Sequence, residues 1–319
     1  MTGTQPSVRE KRMNRWAGCE CPEGFVDRLL IVDGHAYAYR AFHAIRGLRS
    51  PSGRPTNAIY GFVKMLAKMR AAIAPTHLIV VWDGGLSAER VSVLPEYKAQ
   101  RPEMPDDLKP QLDEIVAYLK AAGIASFCRE GVEADDYIAG LARRAADAGL
   151  AVVIASADKD FMQLVSGRIG LLNPNDKSET VWTDAQVRTK SGVEPSQVVD
   201  WLSLTGDNVD NIPGVSGVGP KTAAELLKQF GSVAQLYARL DEVKSEKLRA
   251  ALRSAAGAVR RNRELVRLRD DLPCEFSPDE LVEKPADAVR LRELYQGWGF
   301  KGMLAALEGS EPERQAVLI

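Results

Sequence analysis

Short apolar runs, each bounded by polar or turn-forming residues, recur through the first half of the chain. Arg28-Leu-Leu-Ile-Val-Asp33-Gly34, His77-Leu-Ile-Val-Val-Trp82-Asp83-Gly84, Ile124 to Cys128, Ala151-Val-Val-Ile-Ala155 and Arg168 to Leu172 each have the length and β-branched content of a buried strand. Between them the apolar positions fall at helical spacing. Thr56-Asn57 predicts the cap of a helix running to about Ile73, Pro105-Asp106-Asp107 opens another to about Ala122, and a third follows Gly131. Tyr37, Tyr39, Arg40, Phe42 and His43 belong to a helix or turn over the end of the first strand. Strands alternating with helices predict an α/β class with a central, mostly parallel sheet flanked by helices. Beyond it, Ser196 to Leu204 reads as a helix, and the remainder to about Leu307 is helical.

The strand ends carry the chemistry. Asp33, Asp83 and Asp158 each follow an apolar run, and α/β sheets collect ligands outside the carboxyl ends of their strands. One Asp-Gly after a strand is an ordinary turn signal. Two, with Asp158-Lys-Asp160 after a third strand, place carboxylates from separate elements on one edge. Glu133, Asp135 and Asp136 open the helix after Gly131, where acidic residues also serve as plain caps. Glu133, Asp135, Asp136, Asp158 and Asp160 alone would gather five like charges in one crevice, which repel by several kcal/mol unless a cation offsets them. Oxygen-only donors point to a hard divalent metal.

Two further stretches point to nucleic acid. Gly84 to Pro105 has no clear period and carries Glu89, Arg90, Tyr97, Lys98 and Arg101. Irregular segments of this length inside a compact domain are lids or solvated loops, and basic side chains around a tyrosine suit a nucleic-acid strand. Thr205-Gly-Asp207-Asn-Val-Asp210-Asn is followed by Ile212-Pro-Gly214-Val-Ser-Gly217-Val-Gly219-Pro-Lys221-Thr222. Glycines at this spacing before a helix predict a tight hairpin whose backbone N–H groups take phosphate, with Lys221 beside it. Arg260-Arg261-Asn-Arg263 and the arginines after it read as a solvated helix face.

Composition narrows this less than the motifs do. The chain has 319 residues, 45% hydrophobic and 27% charged, with net charge −1 and a pI near 6.4, so a DNA site must come from local clustering. Cys19, Cys21, Cys128 and Cys274 are too scattered for a disulfide framework, and Cys19-x-Cys21 lacks a second pair for zinc. No apolar run approaches the ~20 residues of a membrane span, which leads us to expect a cytoplasmic, nucleoid-associated protein with no membrane partner.

Taken together, the Leu-Ile-Val-Asp-Gly start, Pro55-Thr-Asn-Ala-Ile-Tyr-Gly61-Phe, Val81-Trp-Asp83, Tyr97-Lys98-x-x-Arg101-Pro, Glu133-Ala-Asp-Asp136, Ala157-Asp-Lys-Asp160, Thr205-Gly-Asp207 and the Ile212-Pro-Gly hairpin resemble the 5′-nuclease (flap endonuclease) family. The likeness is to the 5′→3′ exonuclease domain of bacterial DNA polymerase I, here as a free-standing chain, and it covers Leu29 to about Leu307.

The resemblance implies a PIN-like or resolvase-like core at 28–205, a helical arch at 86–105 and a helix-hairpin-helix subdomain at 206–307, between a flexible extension (1–27) and a flexible tail (308–319). It places metal-binding carboxylates on Asp33, Asp83, Glu133, Asp135, Asp136, Asp158, Asp160, Asp207 and Asp210. They would hold two Mg²⁺ or Mn²⁺ ions, with Asp136 and Asp210 in outer roles, and K⁺ would sit on carbonyls of the hairpin. Arg90 and Lys98 would face the scissile phosphate, joining Asp33 and Asp135 as the catalytic set. Tyr97, Arg101, Gly214, Gly217, Gly219, Lys221 and Thr222 would contact DNA. Glu89 departs from the aromatic residue usual before Arg90. The implied activity is two-metal hydrolysis of 5′ flaps, of nicked or gapped duplex and of free 5′ ends, by a monomer acting in replication and repair. The alternatives are a silent junction-binding module, which would need a broken carboxylate cluster, and a PIN-type ribonuclease, which would lack the hairpin. Gln315-x-x-Leu318-Ile319 resembles the peptides that dock on the bacterial sliding clamp, making the clamp a candidate partner.

Overall fold

The computed structural model describes residues 27–309 apart from 177, 179 and 273–276. The N-terminal extension, Cys19, Cys21, Cys274 and the clamp-like tail therefore lie outside the described residues.

The chain opens with β1 (Arg28–Asp33), α1 (Gly34–Ala44), α2 (Asn57–Ile73) and β2 (His77–Trp82). Then come a one-and-a-half-turn helix α3 (Ala88–Val93), α4 (Lys109–Ala121), β3 (Ala125–Cys128), α5 (Ala134–Asp147) and β4 (Ala151–Ala155). A 3-10 turn (Lys159–Leu164) leads to β5 (Ile169–Leu172), β6 (Val181–Trp182) and α6 (Asp184–Ser191). The second part holds α7 (Val198–Thr205), the two-stranded β7 (Gly206–Asp207) and β8 (Ile212–Pro213), α8 (Pro220–Phe230) and α9 (Val233–Ala238). It closes with α10 (Glu246–Ser254), α11 (Ala256–Val266), α12 (Pro278–Leu281), α13 (Ala288–Trp298) and α14 (Lys301–Gly309).

The sheet order is β3-β2-β1-β4-β5-β6, parallel except where β6 runs against β5. Strand order reverses between β1 and β4, the switch point at which such sheets bind ligands. Asp33 lies level with Val81 of β2, and Val32 with Ala155 of β4, so Asp83 and Asp158 fall just past the same edge. Both faces are covered. Leu29, Ile31, Val152 and Ile154 pack beneath α5 and the C-terminal helices, whereas Leu30, Val32, Leu78 and Val80 pack under α2, α4 and α13. A strand buried on both sides reads as a continuous apolar run.

Three expectations change in detail. Thr56 makes no cap bond through its side chain; the first amides of α2, Ala58 and Ile59, donate instead to Oε1 of the buried Gln111, the former at 2.8 Å. The helix after Pro105 begins at Lys109 with no side-chain cap. Residues 206–307 do not pack as one subdomain. α7 packs on α8 and α11, while α13 returns to the sheet through Leu291, Leu294 and Trp298.

Candidate active site

Each acidic residue reaches the sheet edge for a local reason. Asp33 ends β1 and caps α1, Oδ1 accepting from Ala36 N at 3.0 Å and Oδ2 from Ser156 Oγ at 2.8 Å. Gly34 is required there because a Cβ would lie 2.6 Å from the Trp82 ring. Asp83 accepts from Gly85 N at 2.9 Å, and its own amide donates to His35 Nδ1 at 3.0 Å. Burial lowers the His35 pKa and keeps that nitrogen an acceptor. Gly84 exchanges backbone hydrogen bonds with Val132 and Gly131, tying the end of β2 to the entry of α5; any Cβ would strike Arg129 O at 1.7 Å. Asp158 accepts from Asp160 N at 2.9 Å, and Asp207 accepts from Val209 N at 2.9 Å.

The resulting crevice is overloaded with negative charge. Burial pushes Asp33 up to about 6 despite its two hydrogen bonds, with Asp158 and Asp83 adding to the effect. Burial and then Asp158 raise Asp135 and Asp160 well above the ordinary carboxylate range. Burial likewise raises Asp158, with Asp210 and Asp207 contributing. The structure thus brings Asp33, Asp83, Asp135, Asp158, Asp160, Asp207 and Asp210 within electrostatic reach of one another. Lysines lie among them. Lys159 Nζ is 3.0 Å from Asp207, and Lys98 Nζ is 3.3 Å from Glu133, 3.9 Å from Asp135 and 4.0 Å from Asp210. Burial disfavours the Lys98 charge, but Asp135, Asp210 and Glu133 outweigh it and its pKa lies above the usual value. No three His, Cys, Asp or Glu among the described residues close on one point as a ready-made metal shell.

Two of the expected metal ligands have basic partners within the protein. Asp136 is buried, accepting from Arg90 Nη1 at 2.8 Å, from Nη2 at 2.7 Å and from Arg269 N at 2.9 Å. Glu133, 1% exposed, takes Arg90 Nη1, Ser87 N, Tyr97 OH and the Lys98 ammonium. In this structure their oxygens meet protein donors.

The 86–105 segment also differs from expectation. Only Ala88–Val93 of it is helical; the turns that follow pack down, leaving Tyr97 3% and Lys98 4% exposed. Tyr97 is no stacking platform, because its OH points to Glu133 and Asp210, each at 3.3 Å. Arg90 does not face an open crevice; all five of its guanidinium N–H groups meet protein acceptors. Lys98 adopts φ 55°, its amide donating to Asp210 O at 3.0 Å, while Arg101 Nη2 reaches Asp210 Oδ1 at 2.8 Å and Asn211 Nδ2 donates to Glu96 O at 2.8 Å. Asp210 thus fastens this segment to the hairpin. Glu89 pairs with Arg269, which explains how a charged residue fits there.

In the hairpin, Gly214 serves close strand approach: a Cβ would meet Thr205 O at 2.2 Å. Gly217 takes φ 77°, and Gly219 has open space where a side chain would be. Lys221 is exposed and Thr222 half-buried in the first turn of α8. Sequence reasoning missed Ser156 and Ser87, which position acids, and Lys159, which is legible only as the middle of Asp158-Lys-Asp160.

Comparison with known proteins now decides the family. Residues 28–192 match the 5′-3′ exonuclease N-terminal resolvase-like domain, and 193–289 match the 5′-3′ exonuclease C-terminal SAM fold. The chain belongs to the 5′-3′ exonuclease family. It is 40% identical over 280 residues to a 5′-3′ exonuclease of Aquifex aeolicus, covering 88% of this chain and 95% of that protein. It is 38% identical over 294 residues to DNA polymerase I of Bacillus caldotenax, covering 91% of this chain but 33% of that much longer protein. Among solved structures, the T5 D15 protein co-crystallized with metal ions is 25% identical with a TM-score of 0.61, covering 76% of this chain and 90% of that one. The catalytic core of Rad2 in complex with DNA substrate shares the fold at 16% identity and a TM-score of 0.62, covering 88% and 93%. The exonuclease-family chain is therefore a nuclease with a mostly parallel sheet and a C-terminal SAM-like fold. No helix among its described residues is long and apolar enough to cross a membrane.

Proposed function

We propose that this exonuclease-family chain acts as a monomer on DNA, hydrolysing phosphodiesters at 5′ flaps, at nicked or gapped duplex and at free 5′ ends during replication and repair. One observation carries the reading: the hairpin that offers Gly217, Gly219 and Lys221 also delivers Asp207 and Asp210 to the acid crevice at the sheet's switch point. A duplex held on the hairpin is thereby held at a fixed distance from the hydrolytic centre.

The acid crevice fits divalent metal by its own chemistry. The donors are all oxygen, four carboxylates are destabilised by burial and mutual repulsion, and Asp160 Oδ1 is buried with no hydrogen-bond partner. Asp33, Asp83 and Asp135 would hold one Mg²⁺ or Mn²⁺, and Asp158, Asp160 and Asp207 a second. Such ions supply a Lewis acid and a bound water of lowered pKa. Ser156 orients Asp33, and Asp83 is fixed by its own turn. Lys98 and Lys159 hold the cluster's charge down, and Lys98 is the basic group placed to offset charge developing on a phosphate. Arg101, at the rim, steers the strand. A K⁺ ion on the hairpin carbonyls belongs to the same reading, and K⁺-free buffer should weaken duplex binding without altering cleavage of bound substrate.

The test is cleavage of 5′-labelled flap, nicked and blunt duplexes with Mg²⁺ and with EDTA. Flap and nick cleavage that requires Mg²⁺ is the expected result. Cleavage that persists in EDTA overturns the reading.

A further inference from the structure

Residues Leu265 to Arg269 form the C-terminal end of α11 and the chain that leaves it. Their backbone is gripped by three elements at once. Arg90, from α3, donates Nε to Leu265 O at 3.0 Å and Nη2 to Arg267 O at 3.1 Å. Asp136, in the first turn of α5, accepts from Arg269 N at 2.9 Å. Gln163, in the 3-10 turn that begins at Lys159, donates to Val266 O at 3.0 Å and accepts from Leu268 N at 3.0 Å. Two of these elements carry the acids themselves: α5 bears Asp135, and the 3-10 turn bears Asp160.

We infer that Arg90, Asp136 and Gln163 are positioning residues, and that the 265–269 strap is the brace holding the two acid-bearing elements in register with each other. This assignment rests on the nuclease reading and deepens it. The geometry has a specific requirement. To these three side chains the strap presents backbone groups, the carbonyls of 265, 266 and 267 and then the amides of 268 and 269, so its holders must be a planar fork, a carboxylate and an amide of fixed reach. A guanidinium with five N–H groups in one plane satisfies two carbonyls and two carboxylates together, which a lysine ammonium cannot. Gln163 matches both a donor and an acceptor on the strap, which neither Glu nor Met can do. Asp136 accepts from Arg90 and from the strap at once, so it joins α5, α3 and the strap. Because α11 also packs on α7 beside the hairpin, the brace ties the DNA-binding part to the acid crevice through covalent continuity of one helix.

The experiment compares the full chain with Q163M and R90K in hydrogen exchange, Mn²⁺ binding, salt-dependent duplex binding and single-turnover cleavage. Expected for both variants are about 10-fold faster exchange in the peptide covering 265–269, several-fold weaker Mn²⁺ binding and at least 10-fold slower cleavage. The duplex Kd and its salt dependence should be unchanged. Q163M keeps the side-chain volume and removes no charge, so it remains informative if R90K fails to fold. Faster exchange in Q163M with wild-type Mn²⁺ affinity and cleavage would make the strap merely structural and overturn the inference. For R90K, wild-type exchange with a salt slope lower by about one charge would place Arg90 on phosphate instead, which also overturns it. If the wild-type chain cleaves no DNA, the nuclease reading fails, while exchange and Mn²⁺ binding still decide whether the strap braces the acids.

Discussion

Asp135 and Asp136 stand side by side in the first turn of one helix, and the protein uses them in opposite ways. Asp135 faces the crevice with Asp158 and Asp33 and holds its proton well above the ordinary range because it is buried among like charges. Asp136, about 100° further round the helix, is buried against a guanidinium that matches both its oxygens. The first is a destabilised carboxylate awaiting a cation. The second already has one. Burial by itself therefore does not mark a catalytic acid; what faces the carboxylate does. Regions of the molecule that store electrostatic stress are where chemistry is placed, and regions that relieve it are where the framework is held.

The sharpest way to break this contrast is to neutralise the two residues separately. Asp135→Asn should reduce single-turnover cleavage roughly 10³-fold, the scale of about 4 kcal/mol of lost transition-state stabilisation. Its melting temperature in EDTA should stay level or rise, since a repelled charge has gone. Asp136→Asn should cost about 3 kcal/mol of stability, because a buried guanidinium loses its bidentate partner. A thermal melt of both variants, run beside the cleavage assay, decides it. If Asp135→Asn melts lower than Asp136→Asn, the roles are reversed.

A pH series sharpens the same point. Asp33 titrates at about 6 in the folded protein against 3.8 in an ordinary chain, so between these values the folded state keeps a proton that the unfolded state has released. Stability of the metal-free protein should therefore fall as pH rises through that window, by up to about 3 kcal/mol for this one group. Above pH 6 the whole penalty stands, and below 3.8 it vanishes. Thermal melts in EDTA from pH 4 to 7.5 should slope downward, with Asp33→Asn flattening the curve. Saturating Mg²⁺ should restore stability most at the high-pH end. An Asp33→Asn curve parallel to wild type would remove Asp33 from the stressed set.

How much of this was legible depended on the range of the interaction. The strand-end acids Asp33, Asp83 and Asp158 could be read because a parallel sheet forces its C-terminal edge together, whatever the details. The acid pairs at 158–160 and 207–210 followed from local turns. What failed was long-range. Nothing near Arg90 in sequence announces Leu265 and Arg267, 175 and 177 residues away, as the carbonyls that use up its donors. Tyr97 and Lys98 read in sequence as part of a lid or solvated loop suited to a nucleic-acid strand, whereas Asp210 fastens them to the hairpin. Gln111 capping α2 from another helix is invisible to a cap rule that looks only at Thr56. The identity of the acids was local information; which of them are free was tertiary information.

The smallest predicted effect separates interior charge from rim charge by its response to salt. Lys221 is exposed in the first turn of α8, beside Gly217 and Gly219, which leave open space for a phosphate to approach the backbone. A rim lysine that neutralises one phosphate releases about one counterion. Lys221→Ala should therefore lower the slope of log K against log salt by about 0.9 and weaken duplex binding by a similar factor for every sequence. Lys98, buried among the crevice carboxylates and not at the duplex rim, should set no such slope. Its replacement by alanine should leave duplex affinity and salt dependence near wild type while slowing cleavage. Titrations of both variants on two unrelated duplex sequences, each at several salt concentrations, make the comparison. A Lys221→Ala loss confined to one of the sequences would mean that the hairpin reads bases. An unchanged slope would mean that phosphate is held by the hairpin amides alone, with Lys221 a bystander.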